Sequence, residues 1–180
     1  MSAAAEARPP QDFGTQGVGA QEVGQFRRAV GRFATGVCVV STFAGSHDHA
    51  MTANAFTSVS LDPLLVLVCV ETDARFHEAV LEAGCWGVSI LSENARPDAE
   101  WLATSGRPLI GQLDTVPHHR GPVTGVALLD RSLATLECMT EAVHPAGDHS
   151  IVVGRVVGID LSPNGRGPLL YHRSTYRTLS

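Results

Sequence analysis

Residues 64–70 read Leu-Leu-Val-Leu-Val-Cys-Val, an unbroken apolar run bounded by Pro63 and Glu71. A bilayer-spanning helix needs about 20 apolar residues, so this run does not cross a membrane. Its length and β-branched content instead suit a strand buried on both faces. Such a strand needs neighbours on both sides, and the rest of the sequence must provide them.

Several segments do. Val23, Phe26, Val30 and Phe33 recur at helical spacing, so a helix is expected from Glu22 to about Thr35-Gly36. Residues 37–42 and 86–91 read as strands, with a turn at 44–48 between the first and the mixed small, hydroxyl and apolar stretch 51–60. Residues 75–83 and 97–104 have helical character, the first ending at Gly84 and the second opening on Pro97. A long surface loop is expected over 105–125. Beyond it, strands are expected at 127–129, 133–143, 150–161, 169–172 and 176–179, with a turn at Pro163-Asn164-Gly165. The expected class is mainly β with a few helices, arranged as an antiparallel barrel.

Composition narrows the partners. The 180 residues carry a net charge of −5, and no cluster of basic residues stands out, which argues against nucleic acid. The four cysteines never take C-x-x-C spacing and sit in apolar segments, as free thiols of a reducing compartment do. With no basic, apolar leader at the N-terminus, a cytoplasmic location is expected. Residues 1–21 are poor in large apolar side chains and read as a disordered tail, leaving 22–180 as one domain. No phosphate loop, G-x-G-x-x-G helix entry or G-x-S-x-G elbow is present.

Four segments in order carry a resemblance. They are Phe-Ala-Thr-Gly-Val-Cys-Val-Val-Ser-Thr at 33–42, Met-Thr-Ala-Asn-Ala-Phe-Thr-Ser-Val-Ser-Leu-Asp-Pro at 51–63, Trp-Gly-Val-Ser-Ile-Leu-Ser at 86–92, and Gly-Asp-His-Ser-Ile-Val-Val-Gly-Arg-Val-Val at 147–157. The last is followed by Gly-Pro-Leu-Leu-Tyr at 167–171. Together they resemble the short-chain flavin reductases of two-component monooxygenases. The likeness spans roughly residues 24 to 179.

The resemblance implies a split β-barrel of antiparallel Greek-key type and a homodimer. It also implies hydride transfer from NADH, less commonly NADPH, to exchangeable FAD or FMN, which diffuses to a partner monooxygenase. Thr52, Ala53 and Asn54 with Ser58, Val59 and Ser60 are the candidates for the flavin ring, which needs small side chains and edge donors. A Thr/Ser-rich strand and turn would read the same way. Cys69, Thr72, Ala74 and Arg75 fall where the family places the ribityl and phosphate, at a strand-to-helix junction suited to anions. Here Asp73-Ala74 replaces the Ser-Ser pair of many relatives, and Asp73 is alternatively the helix N-cap. His149 is the candidate nicotinamide contact and catalytic group, or a histidine in a tight turn. Arg155 is either a phosphate partner or part of a solvated face. Two other readings remain: a split-barrel oxidase of the pyridoxamine-phosphate type, and a non-enzymatic flavin carrier. His47, His49, His118 and His119 fall short of a metal ligand set.

Overall fold

The computed structural model describes residues 19–163 and 165–179. The expected tail therefore lies outside the described residues except at 19–21, and so does Asn164 of the expected turn. Helix α1 spans Ala20–Val30, starting two residues ahead of Glu22 because the Gly19 N–H donates to Glu22 Oε2 at 2.9 Å. It also stops short of the expected end. Thr35–Gly36 forms β1 instead, pairing with Tyr171 and Leu170, so a tertiary contact overrides the helical spacing.

The strands that follow are β2 (Cys38–Ala44), β3 (His47–Ala53), β4 (Phe56–Leu61) and β5 (Leu64–Glu71). Helix α2 (Arg75–Ala83) leads to β6 (Cys85–Leu91), a short 3-10 turn (Glu93–Ala95) and α3 (Arg96–Ala103). Then come β7 (His118–Arg120), β8 (Ala127–Leu129), the long strands β9 (Ser132–Ala146) and β10 (His149–Leu161), and the hairpin β11 (Leu170–His172) and β12 (Thr175–Arg177). The expected surface loop 105–125 is only partly one. It contains β7, and Gln112, Leu113 and Val116 are buried.

The main sheet has seven strands in the order β3-β2-β6-β9-β10-β5-β4, and every pairing is antiparallel. Its two edge strands, β3 and β4, are joined through Asn54 and Ala55 alone. Laid flat, those edges would stand about 29 Å apart at ~4.8 Å per strand. The three peptide steps from Ala53 to Phe56 reach at most about 11 Å. The sheet must therefore curl until its edges meet at that corner, although no ladder closes them. The expected barrel is realised as a curled sheet left open along this line.

Two apolar cores fill the curl. One gathers Val40, Val68, Val70, Phe76, Val80, Trp86, Val88 and Val152, with α2 as its plug. The other joins Val37, Val39, Leu91, Leu102, Leu129 and Leu169 beneath α3. The strand covered on both faces is thus β2, whose Val39 and Val40 are both fully enclosed. The run at 64–70, expected to be buried on both faces, is not. Val66, Val68 and Val70 face the core, while Leu65, Leu67 and Cys69 are only half-covered.

Candidate functional site

The half-covered face of β5 forms the floor of a groove of about 710 Å³. Leu67 and Cys69 come from β5, Asn54, Ala55 and Phe56 from the open corner, and Val30 and Phe33 from the α1 end. The lining is mostly apolar. It lies where β3 and β4 present outer edges with no ladder partner among the described residues, so backbone N–H and C=O groups are on hand for a planar ligand. Thr35 Oγ1, in the same wall, is enclosed without a hydrogen-bond partner among the described residues.

A second depression, about 380 Å³, lies next along the same strand. Thr52 lies two residues before Asn54 on β3, and Glu71 two residues after Cys69 on β5; both line this second space. Two residues along a strand cover about 6.6 Å and return to the same face, so the two depressions follow one another along β5. Its far wall holds Ala74, Arg75 and Phe76 at the start of α2, and Thr104, Ser105, Gly106 and Arg107 from the loop after α3. Ala74 is the N-cap and no described side chain caps the helix; the His77 N–H turns back to the Ala74 carbonyl at 2.8 Å, while the Arg75 and Phe76 N–H groups have no capping side chain. This corrects the alternative role of Asp73, which does not cap. With an Ala at the N-cap, the helix is left open to an anion.

Arg75 Nη2 donates to the Arg107 carbonyl at 2.7 Å. Arg107 in turn donates to the Ala50 and Thr104 carbonyls. Burial, reinforced by the neighbouring Arg75 charge, lowers the pKa of the Arg107 guanidinium. Glu71 and Asp73 also line this space, so its cations are balanced by two carboxylates. Arg107 escaped the sequence reading. Its place depends on contacts with Ala50, 57 positions away, which no local pattern reveals.

The structure separates the other candidates. Thr52 Oγ1 is engaged with the Ala99 carbonyl at 2.7 Å, and the Ala53 carbonyl accepts from Cys38 Sγ at 3.3 Å. Ser58, Val59 and Ser60 line neither space. They form a bulge on exposed β4, with Ser58 opposite Val66 and Ser60 opposite Leu65, and Val59 left unpaired. Thr72 ties the site to the β9–β10 turn: both its N–H and its hydroxyl donate to the Asp148 carbonyl, at 2.9 and 3.1 Å. This places His149 directly across from Glu71 in the ladder. His149 Nδ1 lies 2.7 Å from Asp148 Oδ1, and that contact holds the Asp148 carboxyl below the usual carboxylate range. Arg155 pairs with Glu141 across the β9–β10 ladder, away from both spaces. His119 pairs with Asp130, and His118 contacts the Val116 carbonyl.

An apolar slot followed by a polar pocket beside a helix N-terminus that no described side chain caps suits a flat ring with an anionic tail. Comparison with known proteins agrees. The family model described as flavin reductase like domain matches residues 30–180. The chain belongs to the flavin reductase family. An NADH-dependent FAD reductase of Streptomyces globisporus is 40% identical over 146 residues, covering 81% of this chain and 80% of the relative. The reductase component of a 4-hydroxyphenylacetate 3-monooxygenase from Thermus thermophilus is 39% identical over 154 residues, covering 86% and 95%. Among solved structures, the flavin reductase component of a bacterial two-component tryptophan halogenase superposes with a TM-score of 0.82 at 44% identity. That match covers 87% of this chain and 98% of the other. The flavin reductase fold thus accounts for the curled, incompletely closed sheet.

Proposed function

We propose that this chain binds FAD or FMN in the groove at the β3–β4 corner, reduces it with NADH, and releases it to a separate monooxygenase. The observation that carries the reading is the succession along β5 of the apolar groove at Asn54 and Cys69 and the polar pocket of Thr52, Ala74, Arg75 and Arg107. A flavin supplies the ring that accepts the hydride. The chain supplies shape and charge. Leu67, Phe56 and the α1 end exclude water from the ring faces, and the free edges of β3 and β4 hydrogen-bond its polar rim. The amides at the start of α2, with Arg75 and Arg107, take the phosphate end.

His149 orients the nicotinamide. Its Nδ1 is held by Asp148, which leaves Nε2 to meet a carboxamide or to move a proton at the ring edge. Hydride transfer asks for no nucleophile, only two rings held at near-attack distance.

The working unit is a homodimer. Phe26, Val30 and Phe33 are at least half exposed on one side, and Ile159 and Leu161 at the far end of β10 are exposed as well. A second copy covering them would also wall the groove. The domain covers 22–180, and the protein acts in the cytoplasm. The test is NADH oxidation by purified protein with FAD, FMN or riboflavin supplied one at a time. Turnover that depends on added flavin supports the reading. No turnover with any flavin, from NADH or NADPH, overturns it.

A further inference from the structure

The segment from Thr72 to His77 grips both chain neighbours of His149. Thr72 holds the residue before it, since the Thr72 N–H and hydroxyl both donate to the Asp148 carbonyl, at 2.9 and 3.1 Å. His77 holds the residue after it, with His77 Nε2 lying 2.9 Å from Ser150 Oγ. Between these two anchors, Asp73, Ala74, Arg75 and Phe76 wall the polar pocket. One stretch of chain thus lines the pocket proposed for the flavin phosphate and brackets the proposed nicotinamide contact.

Strand alternation sets up the second anchor. Ser150 stands opposite Val70 in the ladder and His149 opposite Glu71, so the two side chains leave β10 on opposite faces. Ser150 turns inward and is buried, whereas the His149 side chain is 42% exposed. On α2, His77 follows Phe76 of the buried stripe and is itself half-buried. Its N–H donates to the Ala74 carbonyl, so the ring reaches Ser150 from a backbone already held in the first turn.

Packing alone gives no reason for this pair. The next inward residues of β10, Val152 and Gly154, are buried without a polar side chain. An apolar residue at 150 would fill the same place and leave no hydroxyl to satisfy, and exchanging both partners for apolar groups is nearly neutral in stability. A hydrogen bond adds direction, which apolar contact does not. His149 needs it, because the Asp148 carboxylate that touches its ring is itself 87% exposed and anchors the ring to nothing further in. We propose that His77, acting through Ser150, is a positioning residue for His149. With Thr72 it fixes the backbone on both sides of His149, so that the imidazole meets the nicotinamide at one distance and angle. The inference rests on the reading of His149 as the nicotinamide contact. A misplacement of about 1 Å at a reacting centre can cost about a hundredfold in rate, and a loosened tether costs part of that.

The test uses the full chain carrying His77→Leu, Ser150→Ala, both together, or His77→Gln. The first three should lower kcat/KM for NADH about threefold to tenfold, with flavin Kd within about twofold of wild type. The double variant should be no worse than the poorer single one, because the two residues act through one bond. Gln returns a nitrogen donor near the place of Nε2 and should recover most of the loss, whereas a space-filling role would be served equally by Leu. In a His149→Ala background, His77→Leu should cost nothing further. Amide hydrogen exchange over residues 146–150 should be several-fold faster in His77→Leu and return towards wild type with Gln. Unchanged NADH kinetics, losses that multiply in the double variant, a further loss without His149, or a Gln variant no better than Leu overturn the proposal. An equal loss of flavin affinity also overturns it, by making the pair a support of the phosphate pocket. If His77→Leu misfolds, Ser150→Ala, which deletes only a hydroxyl, carries both measurements. Should wild type oxidise no NADH at all, the reductase reading falls, and the exchange measurement alone decides whether His77 holds the His149 turn.

Discussion

Cys69 offers the most direct test of where flavin sits, because the four thiols differ sharply in environment. Burial pushes the Cys38 thiol up to about 12, and burial with the Glu137 charge pushes Cys138 to about 12 as well. Cys85 is also raised, first by burial and then by Glu137. At pH 8 a thiol of pKa near 12 is only about one part in ten thousand thiolate. Cys69 is half-covered and faces the groove. Iodoacetamide at pH 8 should therefore label Cys69 first, with Cys38 and Cys138 at least about a hundredfold slower. With flavin in the proposed groove over Cys69, its labelling rate should follow the free fraction and drop about tenfold at ten times Kd. Peptide mass spectrometry over a time course reads both effects. Equal labelling of Cys38 and Cys69 would refute the burial argument. A Cys69 rate indifferent to saturating FAD and FMN would remove flavin from this groove.

Three further outcomes follow from particular contacts. Glu137 is buried and accepts from the Val123 and Thr124 N–H groups and the Thr124 hydroxyl, so Glu137→Gln turns an amide donor toward other donors. It should cost about 2–4 kcal/mol in urea unfolding at unchanged m, and a loss under about 0.5 kcal/mol would contradict this. A Cβ on Gly154 would meet Trp86 Cζ2 at 2.5 Å and Cys138 Cβ at 2.9 Å, inside the sheet curl. Gly154→Ala should therefore lower stability by about 1–3 kcal/mol, seen as a lower thermal midpoint; an unchanged midpoint would show the core yields there. His149→Ala should lower kcat/KM for NADH about 10–100-fold while flavin affinity holds, and Thr72→Val should give a smaller loss of the same kind. Equal losses in flavin binding would assign His149 to the flavin instead.

How far the sequence led depends on how local each feature is. Helix α2 was legible to the residue, because Phe76, Ala79 and Val80 set its buried face and Gly84 ends it at φ 65°. The end of α1 was not, since β1 exists only by pairing with β11 from the other end of the chain. The same holds in the site. Asn54 and Cys69 were legible because a motif carries them, and both line the groove. Ser58, Val59 and Ser60 belong to the same motif, yet the bulge and exposed edge of β4 carry them away from it. Arg107 holds its place through the carbonyl of Ala50, distant in sequence, so no spacing rule finds it.

The strands β2 and β5 invert the simplest link between apolarity and burial. Strand β2 is closed on both faces although it contains Ser41 and Thr42. Their hydroxyls donate to the Ala127 and Cys85 carbonyls, so burial leaves them satisfied. Strand β5 is apolar almost throughout, yet one of its faces, with Leu65, Leu67 and Cys69, is only half-covered. A polar alternation there would have served stability of the isolated subunit better, since exposed apolar surface costs about 25 cal/mol per Å² relative to burial. The apolar residues are thus in excess of what the core requires, and two of them, Leu67 and Cys69, line the groove proposed for the flavin ring. On the proposed reading that excess gives the run at 64–70 a functional meaning: where this strand is more apolar than its burial demands, the ligand supplies the missing cover.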